Sequence, residues 1–174
     1  MPWVKSDRDE LLKEYPNLKE FLPYLDELNR ESPRGKVLIS TGYLEQMLKD
    51  ILCAFLMKDR EVDELFEGGN APLGSFSARA KLAYTLGLIS EPEFQDIDLI
   101  RRIRNEFAHD MKASFENDAV KNRCNQLKHK VPDDKGKVAA EGQFTSAATG
   151  LLLNLVNRAA YVSDARRSYG NWKR

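Results

Sequence analysis

The sequence predicts an all-α fold, a single-domain helical bundle over residues 1–174 with no significant β-sheet. Apolar residues recur every three or four positions through most of the chain, which is the period of one helix face. Helix-start and helix-stop signals separate these segments. No segment shows the period-two alternation of a half-buried strand. With 174 residues, 42% of them hydrophobic, the chain is long enough to bury one core.

Charge and residue usage exclude several function classes. Twenty-seven basic residues balance 27 acidic ones, so the net charge does not support binding to DNA or RNA. No apolar run approaches the ~18 residues that a membrane span needs, and no signal peptide opens the sequence, so we expect a cytoplasmic protein without membrane contact. Cys53 and Cys124 show no metal-ligand spacing, so we expect no metal site.

Residues 1–33 are predicted to form short N-terminal helices. Ser6 is expected to cap a helix from Asp7 to about Tyr15. A second helical segment follows Pro16, and Pro23 inside it is expected to kink or split it. Pro33 then separates these short helices from the next element.

The strongest helix prediction covers Arg34 to Met57. Its apolar stripe is too wide for a surface helix, so the helix must pack against at least two neighbours. From Lys58 to Gly74 the periodicity stops, which predicts a loop with Leu65 and Phe66 folded back onto the core. This glycine-rich loop lacks the spacing and the preceding strand of a phosphate-binding loop, which favours a structural turn.

Capping signals define the next two helices. Ser75 or Ser77 is predicted to begin a helix that Gly87 ends. Ser90 with Glu93 three residues on forms a capping box, which starts the central helix of the chain.

Two further helices are predicted in the C-terminal half. Weaker periodicity predicts a helix from Phe115 to Lys130, followed by a polar loop. Residues 143–169 are predicted to form one long helix, from Phe144 to about Ser168. Its section 151–156 is apolar on nearly all sides, so this helix is central in the bundle or shared with a second subunit.

The central helix carries a polar row beside its buried stripe. Arg101, Asn105 and His109 are spaced i, i+4, i+8 and share one face, which we interpret as an interaction face. Arg104 lies ~140° round the helix from His109 at ~100° per residue. The apolar stripe of the same helix consists of Phe94, Ile97, Ile100, Ile103 and Phe107.

Arg104, Asn105 and His109 are also candidate catalytic residues. The arginine could hold a phosphate while the imidazole moves a proton, which is the chemistry of metal-free RNA cleavage. The spacing alone is weak evidence, because Arg123 and His129 show a similar one by accident. The alternative is a histidine that a helix C-terminus stabilises.

A helix-turn-helix that reads DNA is disfavoured. The second helix of such a motif would carry Glu91, Glu93 and Asp96 in the turn that must approach DNA, and their charge opposes binding. An ordinary helical hairpin fits better. The basic C-terminal segment offers another possible nucleic-acid contact, or only a favourable partner for a helix dipole; its residues are Arg166, Arg167, Lys173 and Arg174.

Several motifs between Arg34 and His109 resemble the mannitol operon repressor family of bacterial regulators. The combination of the loop with the central helix is specific, and residues 34–109 form the family-like core. The resemblance implies an all-helical transcriptional regulator without a cofactor and without a recognisable DNA-reading motif. The matching segments are Arg34-Gly35, Tyr43-Leu44-Glu45, Pro72 to Arg79 (PLGSFSAR), Leu82-Ala83-Tyr84, Leu86 to Ile89 and Ile100 to His109 (IRRIRNEFAH).

The Arg104-Asn105-x-x-x-His109 unit also resembles the signature of the wider HEPN superfamily of helical domains, which commonly dimerise across this helix. In catalytic members the arginine and the histidine cleave RNA without a metal, whereas many others are binding modules. The resemblance implies that Arg104 stabilises the charge of the phosphate and that His109 is the general acid and base. It implies that Asn105 orients these two side chains.

Two hypotheses follow from the sequence. We favour a regulator, non-enzymatic and homodimeric, that acts through a transcription-related protein partner. The alternative is a HEPN-like ribonuclease or toxin component that uses Arg104 and His109. Arg79 is expected to form an internal ion pair, because a buried arginine needs a partner. For Arg34 and Tyr43 both packing and a ligand pocket stay open.

Overall fold

Eight α-helices make up the part of the chain that the computed structural model describes, namely residues 21–132 and 138–170 together with Lys13 and Lys19. No strand occurs in these residues, which confirms the all-α prediction. The helix predicted from Asp7 to Tyr15 lies outside them, except for Lys13. In chain order the helices are α1 (Phe21–Arg30), α2 (Pro33–Phe55), α3 (Arg60–Glu64), α4 (Phe76–Thr85), α5 (Glu91–His109), α6 (Asp118–Gln126), α7 (Ala140–Leu155) and α8 (Arg158–Ser163).

The 23-residue helix α2 lies at the centre of the bundle. Ser32 caps it, since its side chain accepts a hydrogen bond from the Gly35 N–H at 3.1 Å, and Pro33 occupies the first position, where no N–H partner is needed. The helix contacts α1, α4, α5, α7 and α8. The prediction that it packs against at least two neighbours is confirmed. None of the helices described is long and apolar enough to cross a bilayer.

The capping box predicted for the central helix is confirmed at the start of α5. The Ser90 hydroxyl accepts from the Glu93 N–H at 3.4 Å, and the Glu93 carboxylate accepts from the Ser90 N–H at 2.7 Å. Four of the five stripe residues are fully buried; Phe94 is half-buried and stacks on Tyr84 with ring centroids 4.6 Å apart. The apolar stripe therefore fixes which side of α5 meets the core.

The prediction of one long C-terminal helix is wrong. The chain forms α7, turns at Val156 and Asn157, and continues as the six-residue helix α8. Residues 166–170 are not helical. The break follows from tertiary contacts, because Arg158 at the start of α8 is held by the carbonyl of Leu88 and the carboxylate of Glu93, and α8 packs on α2.

Three smaller predictions differ from the structure. The segment expected to be a loop after α2 contains the short helix α3, although Phe66 is buried as predicted. Helix α6 is shorter than predicted, and Phe115 before it is buried in the core instead. Pro23 does not split α1, because it lies in the first turn, where its missing N–H would have no helical partner.

Candidate functional site

The polar row on α5 begins with an arginine that is already engaged. Arg101 donates from Nε and Nη2 to Oδ1 of Asp98, at 3.1 and 2.6 Å. Arg102 donates to the other oxygen of the same carboxylate at 2.7 Å. Burial would raise the pKa of Asp98, but the two guanidinium groups outweigh it and lower that pKa. Two positive charges thus share one negative charge.

Arg104 has a different environment from Arg101. Its Nη1 donates to Oδ1 of Asn105 at 3.3 Å, and it forms no ion pair with a carboxylate of the described residues. Both side chains are half-buried. A half-buried guanidinium without a counter-ion retains its full charge and most of its five hydrogen-bond donors for another group.

A cleft lies between Arg101 and Asn105 of the polar row and the segment PLGSFSAR of residues 72–79. It has a volume of about 300 Å³ and lies between the start of α4, the middle of α5 and one residue of α2. The Ser75 side chain caps α4 by accepting from the Ala78 N–H at 3.2 Å. The lining residues are Glu45, Gly74, Ser75, Phe76, Ser77, Arg101, Arg104 and Asn105.

His109 is not among the residues that line this cleft. Its side chain is exposed at the C-terminal end of α5 and forms no hydrogen bond or ion pair within the described ranges. The spacing of Arg104, Asn105 and His109 in the sequence made all three candidates for one catalytic site. The structure brings the first two together in the cleft and leaves the histidine outside it.

Arg79 forms the internal ion pair that the sequence predicts. Its Nη1 lies 3.5 Å from Oε1 of Glu45, and its Nε donates to the Leu73 carbonyl at 2.7 Å. The guanidinium also stacks over the Phe66 ring at 5.7 Å, and the side chain is only 11% exposed. Arg79 therefore links the loop before α4 to α2, and its positive charge is paired with the negative charge of Glu45.

Arg34 binds the C-terminal end of α5. Its Nη2 donates to the carbonyls of Asp110 and Met111, at 2.9 and 3.1 Å, and its guanidinium lies 5.8 Å from the centre of the Phe107 ring. Cations at a helix C-terminus satisfy carbonyls that have no partner in the helix. The contacts of Arg34 thus serve packing.

Tyr43 contributes to both packing and a pocket. Its ring contacts that of Tyr24, with centroids 4.9 Å apart. It also lines a second, mostly apolar cavity of about 220 Å³ between α1, α2 and the α7–α8 turn. The two possibilities that the sequence left open for this residue therefore coexist.

Comparison with known proteins identifies the family. The mannitol repressor family matches residues 20–152, which is most of the chain. This chain belongs to that family. The matched range extends on both sides beyond the residues 34–109 that carry the resemblance in the sequence, and includes α1, α6 and most of α7.

Individual relatives give the same result. The mannitol operon repressor of Escherichia coli K12 is 45% identical over 42 residues, which are 24% of this chain and 22% of that protein. The repressor of E. coli O6:H1 strain CFT073 gives the same figures. The chain thus aligns with about a fifth of the length of these curated relatives.

A solved structure matches over a much longer range. The X-ray structure of the MtlR–HPr complex from E. coli aligns with a TM-score of 0.54 and 25% sequence identity. The alignment covers 81% of this chain and 96% of that chain. This member of the mannitol repressor family therefore shares its fold with a chain that was solved with HPr.

Two buried carboxylates of this family member, Asp96 and Glu93, have long-range partners that the sequence did not reveal. The fully buried Asp96 accepts from the backbone N–H groups of Lys128 and His129 and lies 2.9 Å from Nδ1 of the His129 ring. Its position in the sequence indicates only an acidic residue near a helix N-terminus. The sequence does contain a signal for the burial of Asp96, because its spacing places it on the same helix face as Ile100 and Ile103.

Glu93 is the second of these carboxylates. It accepts from Arg158 Nη2 at 2.9 Å, while Nη1 of the same arginine donates to the Leu88 carbonyl at 2.7 Å. Burial would raise the pKa of Glu93, but the hydrogen bond from the Ser90 N–H and the Arg158 guanidinium together lower it. The cap is a local signal in the sequence, whereas the arginine lies 65 residues away and has no such signal.

The basic C-terminal segment is partly used inside the fold. Arg166 donates from Nη1 to the carbonyls of Cys53 and Leu56 at the end of α2, at 3.0 and 3.1 Å. The backbone N–H of Arg167 donates to the Phe55 carbonyl at 2.7 Å. Lys173 and Arg174 lie outside the described residues.

Metal-binding groups and reactive thiols are not part of this site. Within the described ranges, no three His, Cys, Asp or Glu side chains are grouped so that they could hold a metal ion. Burial raises the pKa of Cys124 to about 12 and also raises that of the half-buried Cys53. Neither cysteine forms a disulfide.

Proposed function

We propose that this chain is a regulator of transcription that acts by binding a protein partner rather than by reading DNA itself. Membership of the mannitol repressor family supports a repressor of sugar-alcohol uptake genes. The single observation that supports a protein partner is the structural similarity to the E. coli chain that was solved with HPr, since the alignment includes 96% of that chain. The balanced formal charge also argues against direct DNA binding.

Binding of the host's own HPr tests this proposal. Purified chain is passed over immobilised HPr by surface plasmon resonance, and the same chain is incubated with mannitol operon promoter DNA in a gel-shift assay. We expect saturable HPr binding and no preference for the promoter over random DNA. Specific promoter binding without HPr binding contradicts the proposal.

We propose the face of Arg101, Asn105 and His109 as the contact with this partner. The exposure of His109 and the 95% exposure of Met111 beside it support a contact at the end of α5. His109→Glu is expected to weaken HPr binding about tenfold or more if it lies at the centre of the interface. Arg60→Glu, at an exposed position on α3, is the control and is expected to leave binding unchanged.

The proposal includes a homodimer in the cytoplasm. Leu153, on the apolar section of α7, is 42% exposed, which supports a contact with a second copy. Light scattering after size exclusion is expected to give twice the monomer mass of 19.9 kDa. A Leu153→Asp variant is expected to elute as a monomer; a wild-type monomer contradicts this part.

A HEPN-like ribonuclease is the second candidate function. The observation that favours it is that Arg104 and Asn105 share a cleft while the His109 side chain is exposed and unengaged among the described residues. In this case the basic residues Arg166, Arg167, Lys173 and Arg174 are further candidate contacts for RNA phosphates. This candidate is supported if the wild type cleaves RNA in the presence of EDTA and His109→Ala abolishes the cleavage. It is excluded if the wild type does not cleave RNA.

A further inference from the structure

We propose that the cleft between the start of α4 and the middle of α5 binds a small phosphate monoester. This site shares Arg101 and Asn105 with the proposed HPr contact, but its evidence lies in the cleft and does not depend on HPr binding. The volume of about 300 Å³ is at the lower end of the range of about 300–1,000 Å³ for small-molecule sites. A cleft of this volume fits a ligand of metabolite size.

The charge around the cleft selects an anion. Three guanidinium groups at the cleft, those of residues 79, 101 and 104, stand against the two carboxylates of Glu45 and Asp98, which leaves one excess positive charge. Arg79 takes up the charge of Glu45, and Asp98 is shared between two arginines. Arg104 has only the neutral Asn105 as a described partner, so the excess charge is concentrated there.

The hydrogen-bonding groups of the cleft fit a phosphate. The guanidinium of Arg104 presents paired N–H groups that match two phosphate oxygens. The Asn105 side-chain oxygen accepts from Arg104, which leaves the NH₂ group to donate. The Ser75 hydroxyl accepts from the Ala78 N–H and can still donate its own proton, and Ser77 adds a second hydroxyl. Donors therefore converge from two helices.

A carboxylate in the cleft lining suits the alcohol part of the ligand. Glu45 lines the cleft although its charge is paired with Arg79 at 3.5 Å. A carboxylate has about four acceptor sites, so Glu45 can still accept from a hydroxyl of the ligand. The cleft thus combines donors for an anion with an acceptor for a hydroxyl group, which fits a polyol phosphate.

Calorimetric titration of the full chain tests this inference with glycerol 3-phosphate, inorganic phosphate and glycerol as probes. We expect the ester to bind, inorganic phosphate to bind more weakly and glycerol not to bind. Arg104→Gln is expected to weaken ester binding about tenfold or more, since it removes a charge-assisted hydrogen bond. The matched control is Arg102→Gln on the opposite side of α5, whose side chain is 57% exposed; it is expected to retain binding.

A second variant keeps the test independent of the stability of the first. Ser77→Glu places a negative charge in the cleft without touching an arginine, and it is also expected to abolish ester binding. Three results overturn the proposal: no binding of the ester at millimolar concentration, equal loss in Arg102→Gln and Arg104→Gln, or binding of inorganic phosphate alone, which indicates an adventitious ion only. HPr binding measured on the same variants reports separately on the proposed function.

Discussion

Removal of the Arg158 guanidinium is expected to destabilise the fold at the point where its C-terminal part turns back. The Glu93 side chain is 5% exposed and that of Arg158 is 27% exposed. Arg158→Ala leaves the Glu93 carboxylate with the Ser90 N–H but without its cation, and it removes the donor of the Leu88 carbonyl. Both losses leave polar groups in a largely dry environment.

The expected cost is about 2–3 kcal/mol of the free energy of unfolding at pH 7. Removing one partner of a fully buried ion pair costs about 3–5 kcal/mol. We use a smaller value here because water reaches part of the Arg158 site and because the Ser90 N–H still serves the carboxylate. The cost is a large share of the roughly 5–15 kcal/mol that stabilise a domain of this kind.

Acid should reduce this difference between the variant and the wild type. The ordinary pKa of a glutamate is 4.5, and that of Glu93 is lowered in the fold. Its contribution to stability is therefore present above pH 4.5 and is lost as the pH falls through the lowered value. The variant lacks the part of this contribution that Arg158 supplies, so the two proteins become more alike at low pH.

Urea unfolding followed by circular dichroism at pH 7 and at lower pH measures both effects. Arg60→Ala is the matched control, because it removes an exposed i,i+4 pair with Glu64 and is expected to cost under about 0.5 kcal/mol. A loss at Arg158 no larger than the control, or one that does not shrink in acid, refutes the reasoning.

Three further predictions concern single positions. Asp96→Ala is expected to cost about 2–4 kcal/mol in urea unfolding, because two backbone N–H groups and the His129 ring lose their acceptor; an unchanged midpoint contradicts this role. Gly87→Ala is expected to cost about 1–2 kcal/mol, since Gly87 has a φ of 72°, and a neutral result contradicts the strain argument. Cys124, fully buried and with a pKa of about 12, is expected to resist iodoacetamide at pH 8 and to react in urea, as mass spectrometry can show; rapid reaction of the folded protein contradicts its burial.

Three predictions that depended on local signals agree with the structure. The Ser90–Glu93 capping box, the stop at Gly87 and the buried side of α5 each involve residues of one helix or of the turn beside it. Such interactions are set by backbone geometry and side-chain period, which the sequence contains directly. The ion pair of Arg79 was also predictable, because a buried guanidinium requires a counter-charge, although its partner Glu45 was not.

The sequence by itself determined the all-α class, the order of the main helices and their buried faces, together with the family to which the chain belongs. Only the tertiary structure decided where the C-terminal helix breaks, because Arg158 meets Glu93 from 65 residues away. It also decided that the loop before α4 and the arginines of α5 share one cleft, and that His109 stays outside it. The physical reason is that contacts between distant segments depend on how the helices pack, and helix periodicity alone does not specify that packing.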